Sequence, residues 1–498
     1  MQKKSFRFFS LITPTYLIFF FLLFVRLLAN YLIPINDTTE ARYAEIARKM
    51  LETHNWVTPM IDYGKPFLAK PPLSFWLTTL SMKIFGVNAF AARLPVLLLS
   101  IGSILLIGRL ARTFHSNQLS SIATLVLTSC IFFFINAGAV MTDASLLFTL
   151  TLTMVSFWLA VVENENIWGY LFFVGLGLGL LAKGLLALVF PLISISAWLL
   201  QSKQWKTVWQ RLPWFSGIFL TCLIAIPWYW MAELKNPGFL HYFIIGEHIQ
   251  RFLDPSWQGD KYGYVHAVPK GTIWIYFLAG IFPWIIPLID KSVHHRNQWR
   301  VIYHKYTSWC YYLSSWMLVP LIFFTLASNI IYPYSFPAVP PFSLLFATFI
   351  VQINANNHSQ FQRWALITGA IFCAVIGLFV FKPNLVAKSQ QSLIATWQQQ
   401  NLAPNSHLIY WFATPVDSAQ FYSHGKTLST LNNQQLLAWI NKEQMPYLVT
   451  KSDSSIQPLP HEVLDRLQPV YSLQIGHNTF TLYKLESPKA LQTKTRPS

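Results

Sequence analysis

Residues 11–52 read LITPTYLIFFFLLFVRLLANYLIPINDTTEARYAEIARKMLE, and the change of character at Asn36 decides the class of fold. Up to Ile35 the run is apolar, with Arg26 its one charge, and it is long enough to span a hydrocarbon core. It is too long for a signal-peptide core and no small-residue cleavage site ends it, so it reads as an uncleaved first membrane helix. From Glu40 the pattern turns helical and amphipathic. Tyr43, Ile46, Ala47, Met50 and Leu51 share one face; Arg42, Glu45, Arg48, Lys49 and Glu52 share the other. Such a helix is expected to lie in the membrane interface. Asp37 followed three residues on by Glu40 fits a capping box, and residue chemistry leaves cap and catalytic acid equally open for both.

The rest of the chain agrees with the opening. Of its 498 residues 54% are hydrophobic and only 11% charged, which excludes an ordinary soluble domain and implies a polytopic membrane protein. The net charge of +17 would suit nucleic acid, but the basic residues sit in short stretches between apolar runs, such as QSKQWKTVWQR at 201–211 and KSVHHRNQWRVIYHK at 291–305. That is the positive-inside pattern, so no nucleic-acid partner is expected, whereas membrane lipids are. Cys130, Cys222, Cys310 and Cys373 all lie in apolar runs and show neither a disulfide framework nor zinc spacing.

Apolar segments fall near 11–34, 89–110, 119–138, 143–162, 167–182, 185–200, 213–231, 272–290, 309–327, 335–353 and 364–381, about eleven spans. Basic residues before the first span put the N-terminus inside, and an odd count puts the C-terminus outside. The longer segments 36–75 and 232–270 then face outward. After Phe381 short β-type runs (HLIYWFA, PYLVT, PVYSLQI, TFTLYKL) alternate with helical patterns, predicting a mainly α membrane bundle over 1–381 and a small α/β outer domain over 382–498.

Lys70 precedes Pro71-Pro72, whose rings stiffen the backbone behind it; a rigidly presented ammonium at the membrane surface suits a lipid phosphate, and equally a snorkelling lysine. Asp143 opens an apolar segment, either as an N-terminal cap or as a functional acid needing a partner. Lys183 lies between two short spans, and facing one cavity would settle the cost of both charges. Glu247 and Arg251 stand four apart in GEHIQRF, the spacing of a helical ion pair. His241, His248 and His266 match no compact metal-ligand pattern.

The ordered blocks EARYAEIARKMLETHNWVTP, KPPLSFWLTTLSMKIFGVNAFAARLP, MTDASLLFTLTL, LGLLAKGLLALVFP, PWYWMAELKNPGFLHYFIIGEHIQRF and YSFPAVPPFSLL, over most of residues 30 to 350, resemble the bacterial aminoarabinose transferase (lipid A modifying) and protein O-mannosyltransferase superfamily, membrane glycosyltransferases of the GT-C type. DSAQFYSHG in the tail matches more loosely. The resemblance implies an inverting enzyme of the bacterial inner membrane that faces the periplasm. It takes a sugar from a polyprenyl phosphate donor and passes it to lipid A or another envelope glycan.

The same resemblance carries roles onto residues. Lys70, Arg251 and Tyr334 correspond to the groups that grip the donor phosphate; Asp37 or Glu40, Asp143 and Lys183 to catalytic residues of the cavity. Arg42, Tyr43, Glu247 and His266 are further candidates for the substrate cavity. Three departures stand out. Relatives read Asp-Glu where this chain has Thr39-Glu40, a metal-binding Glu of the aminoarabinose transferases is Ala69 here, and their lysine a few residues before the YxxP tyrosine is Ile330. These weaken the metal site and the aminoarabinose assignment but not the superfamily, so no cofactor is certain and the metal requirement is left open. Alternative readings are a protein O-glycosyltransferase, or a transporter or flippase of polyprenyl-linked sugars. The latter would need polar residues spread through several spans, whereas these cluster at helix ends and in outer loops.

Overall fold

The computed structural model describes residues 14–486 apart from 115–116, 255–256, 258, 260, 263–267, 328, 354–357, 401–405, 443–445 and 453–458. The first half of the chain is a run of helices: α1 (Pro14–Leu32), α2 (Thr39–Thr53), α3 (Leu73–Phe85), α4 (Ala89–Arg112), α5 (Asn117–Ser129), α6 (Ile131–Asn136), α7 (Thr142–Val161), α8 (Asn166–Lys183), α9 (Leu186–Ser202), α10 (Trp205–Arg211) and α11 (Trp214–Lys235). A small hairpin, β1 (Met60–Asp62) with β2 (Lys65–Pro66), follows α2. A π-wound segment, His241–Gln250, runs into α12 (Arg251–Leu253). Then come α13 (Thr272–Gly280), α14 (Ile285–His294), α15 (Arg296–Lys305), α16 (Thr307–Leu326), a 3₁₀ segment at Tyr332–Ala338, α17 (Val339–Ile353) and α18 (His358–Phe381).

Among the described residues seven helices are long and apolar enough to cross a membrane, eight if the pair α13 and α14, bent by 98°, is one span; α1 from Leu17, α3 and α9 are shorter apolar helices. The apolar segment 119–138 breaks at Cys130 into α5 and α6, where Ile131 N–H turns away to Phe282 O at 2.9 Å. α7 is the axis of the bundle, with nearly every residue buried, and α8 lies antiparallel against it. Gly175 makes that approach possible, because a Cβ there would stand 2.4 Å from Thr153 Oγ1; small residues let membrane helices pack backbone to backbone.

Beyond α19 (Pro383–Val386) and α20 (Gln391–Gln398) the chain forms a five-stranded sheet, in the order β4-β3-β5-β7-β6. β3 (Leu408–Trp411), β4 (Thr427–Thr430) and β5 (Tyr447–Lys451) run parallel, joined through α21 (Asp417–Tyr422) and α22 (Asn433–Lys442). After α23 (His461–Leu464), β6 (Leu467–Ile475) and β7 (Asn478–Leu485) add an antiparallel pair. Strand alternation sorts the core: Leu408, Tyr410 and Val449 pack with Trp397 and Leu393 of α20, while Ile409, Trp411 and Leu448 pack with Leu436 and Ile440 of α22.

The placement of α2 differs from the interfacial helix expected of its pattern. Its polar face is covered by α21, and Glu45, Arg48 and Lys49 are buried. The charges survive burial by pairing: Arg48 takes Glu45 at 2.7 Å and Glu52 at 2.7 Å, and Lys49 takes Glu45 at 3.3 Å. The Asp37–Glu40 capping box does not form either. Thr38 is the N-cap residue, without a side-chain bond to the helix, and both acids are spent elsewhere.

Candidate functional site

The site is assembled by helix ends. α7 and α8 form an antiparallel hairpin, so the start of α7 and the end of α8 meet at one face although they are 40 residues apart. Asp143 sits in the first turn of α7 and Lys183 in the last turn of α8, each at the pole its charge favours. Their side chains, 7% and 8% exposed, touch at 2.5 Å. The Lys183 ammonium also lies 4.7 Å from the centroid of the Tyr334 ring, a cation–π contact, and that ring stacks on Phe324 at 4.6 Å.

A second charge group faces the first. Glu247, 3% exposed, accepts from Lys70 Nζ at 3.2 Å and Arg251 Nη1 at 3.0 Å on one oxygen, and from the Tyr242 hydroxyl at 3.0 Å on the other. Burial works against the carboxylate charge, but Lys70 and Arg251 outweigh it and hold the group below the usual carboxylate range. The Glu247–Arg251 pair expected from their spacing is present, and Lys70 joins it from 177 residues away. His248 lies between two carbonyls, with Nδ1 2.7 Å from Phe243 O and Nε2 3.2 Å from Lys183 O. Burial lowers its pKa, and a neutral ring donates one of these bonds.

Lys70, Lys183, Glu247, His248, Arg251 and Tyr334 line one cavity of about 210 Å³, whose opposite wall is apolar, built by Leu186, Val189, Phe252, Phe323 and Phe324. Three cations, Lys70 and Arg251 sharing Glu247 and Lys183 held by Asp143, beside a greasy wall suit a lipid-linked phosphate. Tyr43 packs edge-on against Phe67 and Phe75; burial first, then the nearby Asp143 charge, raise its pKa.

Other candidates are placed elsewhere. Glu40 is gripped by Arg93, Nε to Oε1 at 2.7 Å and Nη2 to Oε2 at 2.8 Å, and accepts from Asn36 N–H at 3.2 Å. Arg93 also donates to the carbonyls of Ile33 and Pro34, so this cluster fixes the exit of α1 against α4. Asp37 faces α21: Ser418 N–H donates to its Oδ1 at 2.8 Å and the Ser418 hydroxyl to Oδ2. Burial raises its pKa to about 7. Arg42 turns outward to the Tyr262 carbonyl at 2.5 Å and to Asp417 at 3.5 Å. His266 lies outside the described residues.

Sequence reasoning overlooked Arg93 and the Asp417-Ser418 pair. An arginine inside the apolar stretch AARLP was the available signal for the first. For a metal, Ala69 offers no ligand beside Lys70, the His248 ring is engaged by carbonyls, and among the described residues no three His, Cys, Asp or Glu side chains come together; this donor set does not fit a metal ion.

The comparisons with known proteins agree with this architecture. Residues 4–243 match the profile of the dolichyl-phosphate-mannose-protein mannosyltransferase family. An undecaprenyl phosphate-α-4-amino-4-deoxy-L-arabinose arabinosyl transferase of Yersinia pestis is 31% identical over 389 residues, 74% of this chain and 66% of that protein. The chain belongs to the superfamily of protein mannosyltransferases and aminoarabinose transferases. It is a multi-pass membrane protein of that superfamily. The enzyme of the same name from Enterobacter sp. (strain 638) is 29% identical over 72% of this chain, which spans 64% of that relative's length. The crystal structure of ArnT from Cupriavidus metallidurans bound to undecaprenyl phosphate superposes with a TM-score of 0.74 at 16% identity, over 95% of this chain and 98% of that one, and shares its GT-C fold.

Proposed function

We propose that this protein is an inverting glycosyltransferase that moves a sugar (aminoarabinose, a hexose or a hexosamine) from a polyprenyl phosphate to lipid A or a related envelope glycolipid. The observation that carries the reading is the convergence of Lys70, Arg251 and Lys183 on one cavity with an apolar wall. The relatives named as arabinosyl transferases support the donor class. The reaction takes place at the periplasmic face of the bacterial inner membrane, with residues 1–381 as the catalytic unit and 382–498 as an outer domain docked on its first loop.

In this reading an acceptor oxygen attacks C1 of the sugar from the face opposite the phosphate. The C1–O bond to phosphate breaks with inversion, and polyprenyl phosphate leaves. Arg251 and Lys70 stabilise the charge that grows on the departing phosphate, aided by the low dielectric of the apolar wall. Tyr334 fixes the Lys183 ammonium by its ring face, and Asp143 positions that ammonium rather than standing free as a base. An acceptor that is itself a phosphate monoester is already nucleophilic and needs no base. A hydroxyl acceptor would have to deliver its proton to a carboxylate already held by a lysine, which disfavours transfer to protein hydroxyls.

Mass spectrometry of lipid A from cells with and without the gene tests the reading. A sugar-sized mass lost on deletion, restored by the intact gene and not by Arg251→Ala, supports it, and the mass separates pentosamine from hexose or hexosamine. Unchanged lipid A moves the acceptor to protein or another glycan, or revives the transporter reading.

A further inference from the structure

A second cavity, of about 490 Å³, lies away from the charged site, walled by Phe172 and Leu176 of α8, Leu192 and Ile195 of α9, Val208 of α10 and Ile218 of α11. It also reaches Phe157, fourteen residues beyond Asp143 on α7, which is about 21 Å along a helix. We infer that this cavity binds one acyl chain of an anionic phospholipid, with the headgroup on α10.

Three independent features carry the assignment. The first is length. The α9 wall runs from Leu188 to Leu199, about 16 Å at 1.5 Å per residue, and one leaflet of a roughly 30 Å hydrocarbon core has the same depth. The second is the rim. Trp205 and Trp209 are exposed on α10, and Trp209 stacks on Trp214 with centroids 5.6 Å apart and planes at 24°. Aromatics of this kind mark headgroup depth, so the cavity opens where a phospholipid changes from chain to head.

The third is charge. Lys203, Lys206 and Arg211 are sequence neighbours of the rim tryptophans Trp205 and Trp209, and residues 199–214 contain no acid. Arg211 Nη1 is buried and has no hydrogen-bond partner among the described residues, a cost that a phosphate oxygen would remove. Of the acids in the α7–α8 turn, Glu165 is already taken by Arg109 and by the Trp168 indole N–H. A zwitterionic head would bring its own ammonium to three cations; an anionic head brings only the phosphate. The 21 Å to Asp143 separates this lipid from the polyprenyl donor, so the site holds a resident lipid that braces α8 to α11.

The test is native mass spectrometry of the full chain, delipidated in detergent and titrated with phosphatidylglycerol or phosphatidylethanolamine of identical chains. One phosphatidylglycerol is expected to be retained about tenfold more tightly than phosphatidylethanolamine, because both offer the same phosphate and only the latter adds an ammonium beside the cations. Arg211→Gln should weaken retention of both lipids, which lose their bond to the shared phosphate, and narrow the preference. Leu192→Trp, at a position exposed on the lipid-facing side, should fill the cavity and weaken both lipids. Arg251→Ala, at the other site, should leave phosphatidylglycerol retention unchanged. Equal retention of the two lipids, or wild-type retention by Arg211→Gln and Leu192→Trp, would overturn the inference. So would a loss of retention in Arg251→Ala, since it would place the lipid in the charged cavity.

Discussion

Glu247 offers the sharpest test of the charged cavity, because two opposite expectations attach to it. Its carboxylate, 3% exposed, bridges Lys70 and Arg251 at 3.2 and 3.0 Å, so the three groups carry a net charge of +1 rather than +2. A donor phosphate held about 4 Å from both cations would stand about 5 Å from that carboxylate, a repulsion of about 3 kcal/mol at an effective dielectric of 20. Lys70 and Arg251 are each 19% exposed, and allowing for solvent around them leaves about 1.4 kcal/mol, or tenfold in affinity. Glu247→Gln is therefore expected to lower the KM for the polyprenyl phosphate donor about tenfold. It should tighten inhibition by released polyprenyl phosphate still more, since that monoester carries the larger charge, and so depress kcat through slow release. The assay is transfer in proteoliposomes at varied donor, with added polyprenyl phosphate as the inhibitor. A KM raised to the level of Lys70→Ala would refute the reasoning, because the carboxylate would then serve to hold the cations in place rather than to temper them.

Asp143→Asn leaves Lys183 buried without its partner, and breaking such a pair costs about 3–5 kcal/mol, so thermal stability should fall with activity. Asp143→Asn combined with Lys183→Met should recover the stability and remain inactive; recovered transfer would exclude both from the chemistry. Asp37 has its pKa raised to about 7 by burial, so the folded chain binds a proton that the unfolded chain releases near its ordinary value of 3.8. That contribution is present at low pH and is lost as pH rises through the window from about 4 to 7. Asp37→Asn should accordingly flatten the pH dependence of thermal unfolding between about pH 4 and 7, while Asp417, raised to about 6 by burial against the opposing pull of Arg42, retains a smaller slope of the same sign. Gly425→Ala puts a Cβ 2.7 Å from the Tyr63 hydroxyl and 2.8 Å from Arg48 Nη2 at a φ of +80°, and should cost about 1–3 kcal/mol of stability, read as a lowered Tm with unchanged donor KM.

Composition and apolar runs were enough to read a polytopic bundle with a small α/β unit after it, because burial in lipid forces continuous apolar segments and a sheet core forces alternation. Lys183 was half legible. As a lone lysine at the end of LLAK it is indistinguishable from a snorkelling one. Yet an antiparallel hairpin turning between Val161 and Asn166 brings the start of one span to the end of the next, which is the geometry that pairs it with Asp143. Lys70 and Glu247 were legible as types and not as partners, since nothing local joins residues 177 positions apart.

The two first-loop acids show where local reasoning stops. Asp37 and Glu40 have the spacing of a cap, which would keep them within their own loop, and the company of a motif, which would turn one of them to the cavity. Instead Arg93, from within α4, takes Glu40, and Ser418, 381 residues away, takes Asp37. Both choices follow from one physical demand. α2 carries Glu45, Arg48 and Lys49 into a buried layer between the bundle and α21, which is tolerable only if its ends are fixed well enough to keep those ion pairs closed. Arg93 fixes the membrane side through the carbonyls that end α1, and Ser418, with the Tyr422 hydroxyl 2.8 Å from Ile35 N, fixes the outer side. The loop that delivers Lys70 to the cavity thus hangs from a helix clamped at both faces. The loosely matching DSAQFYSHG of the tail packs on α2 and the loop that enters it, so the sheet unit is joined to the bundle through buried contacts at the helix that precedes Lys70.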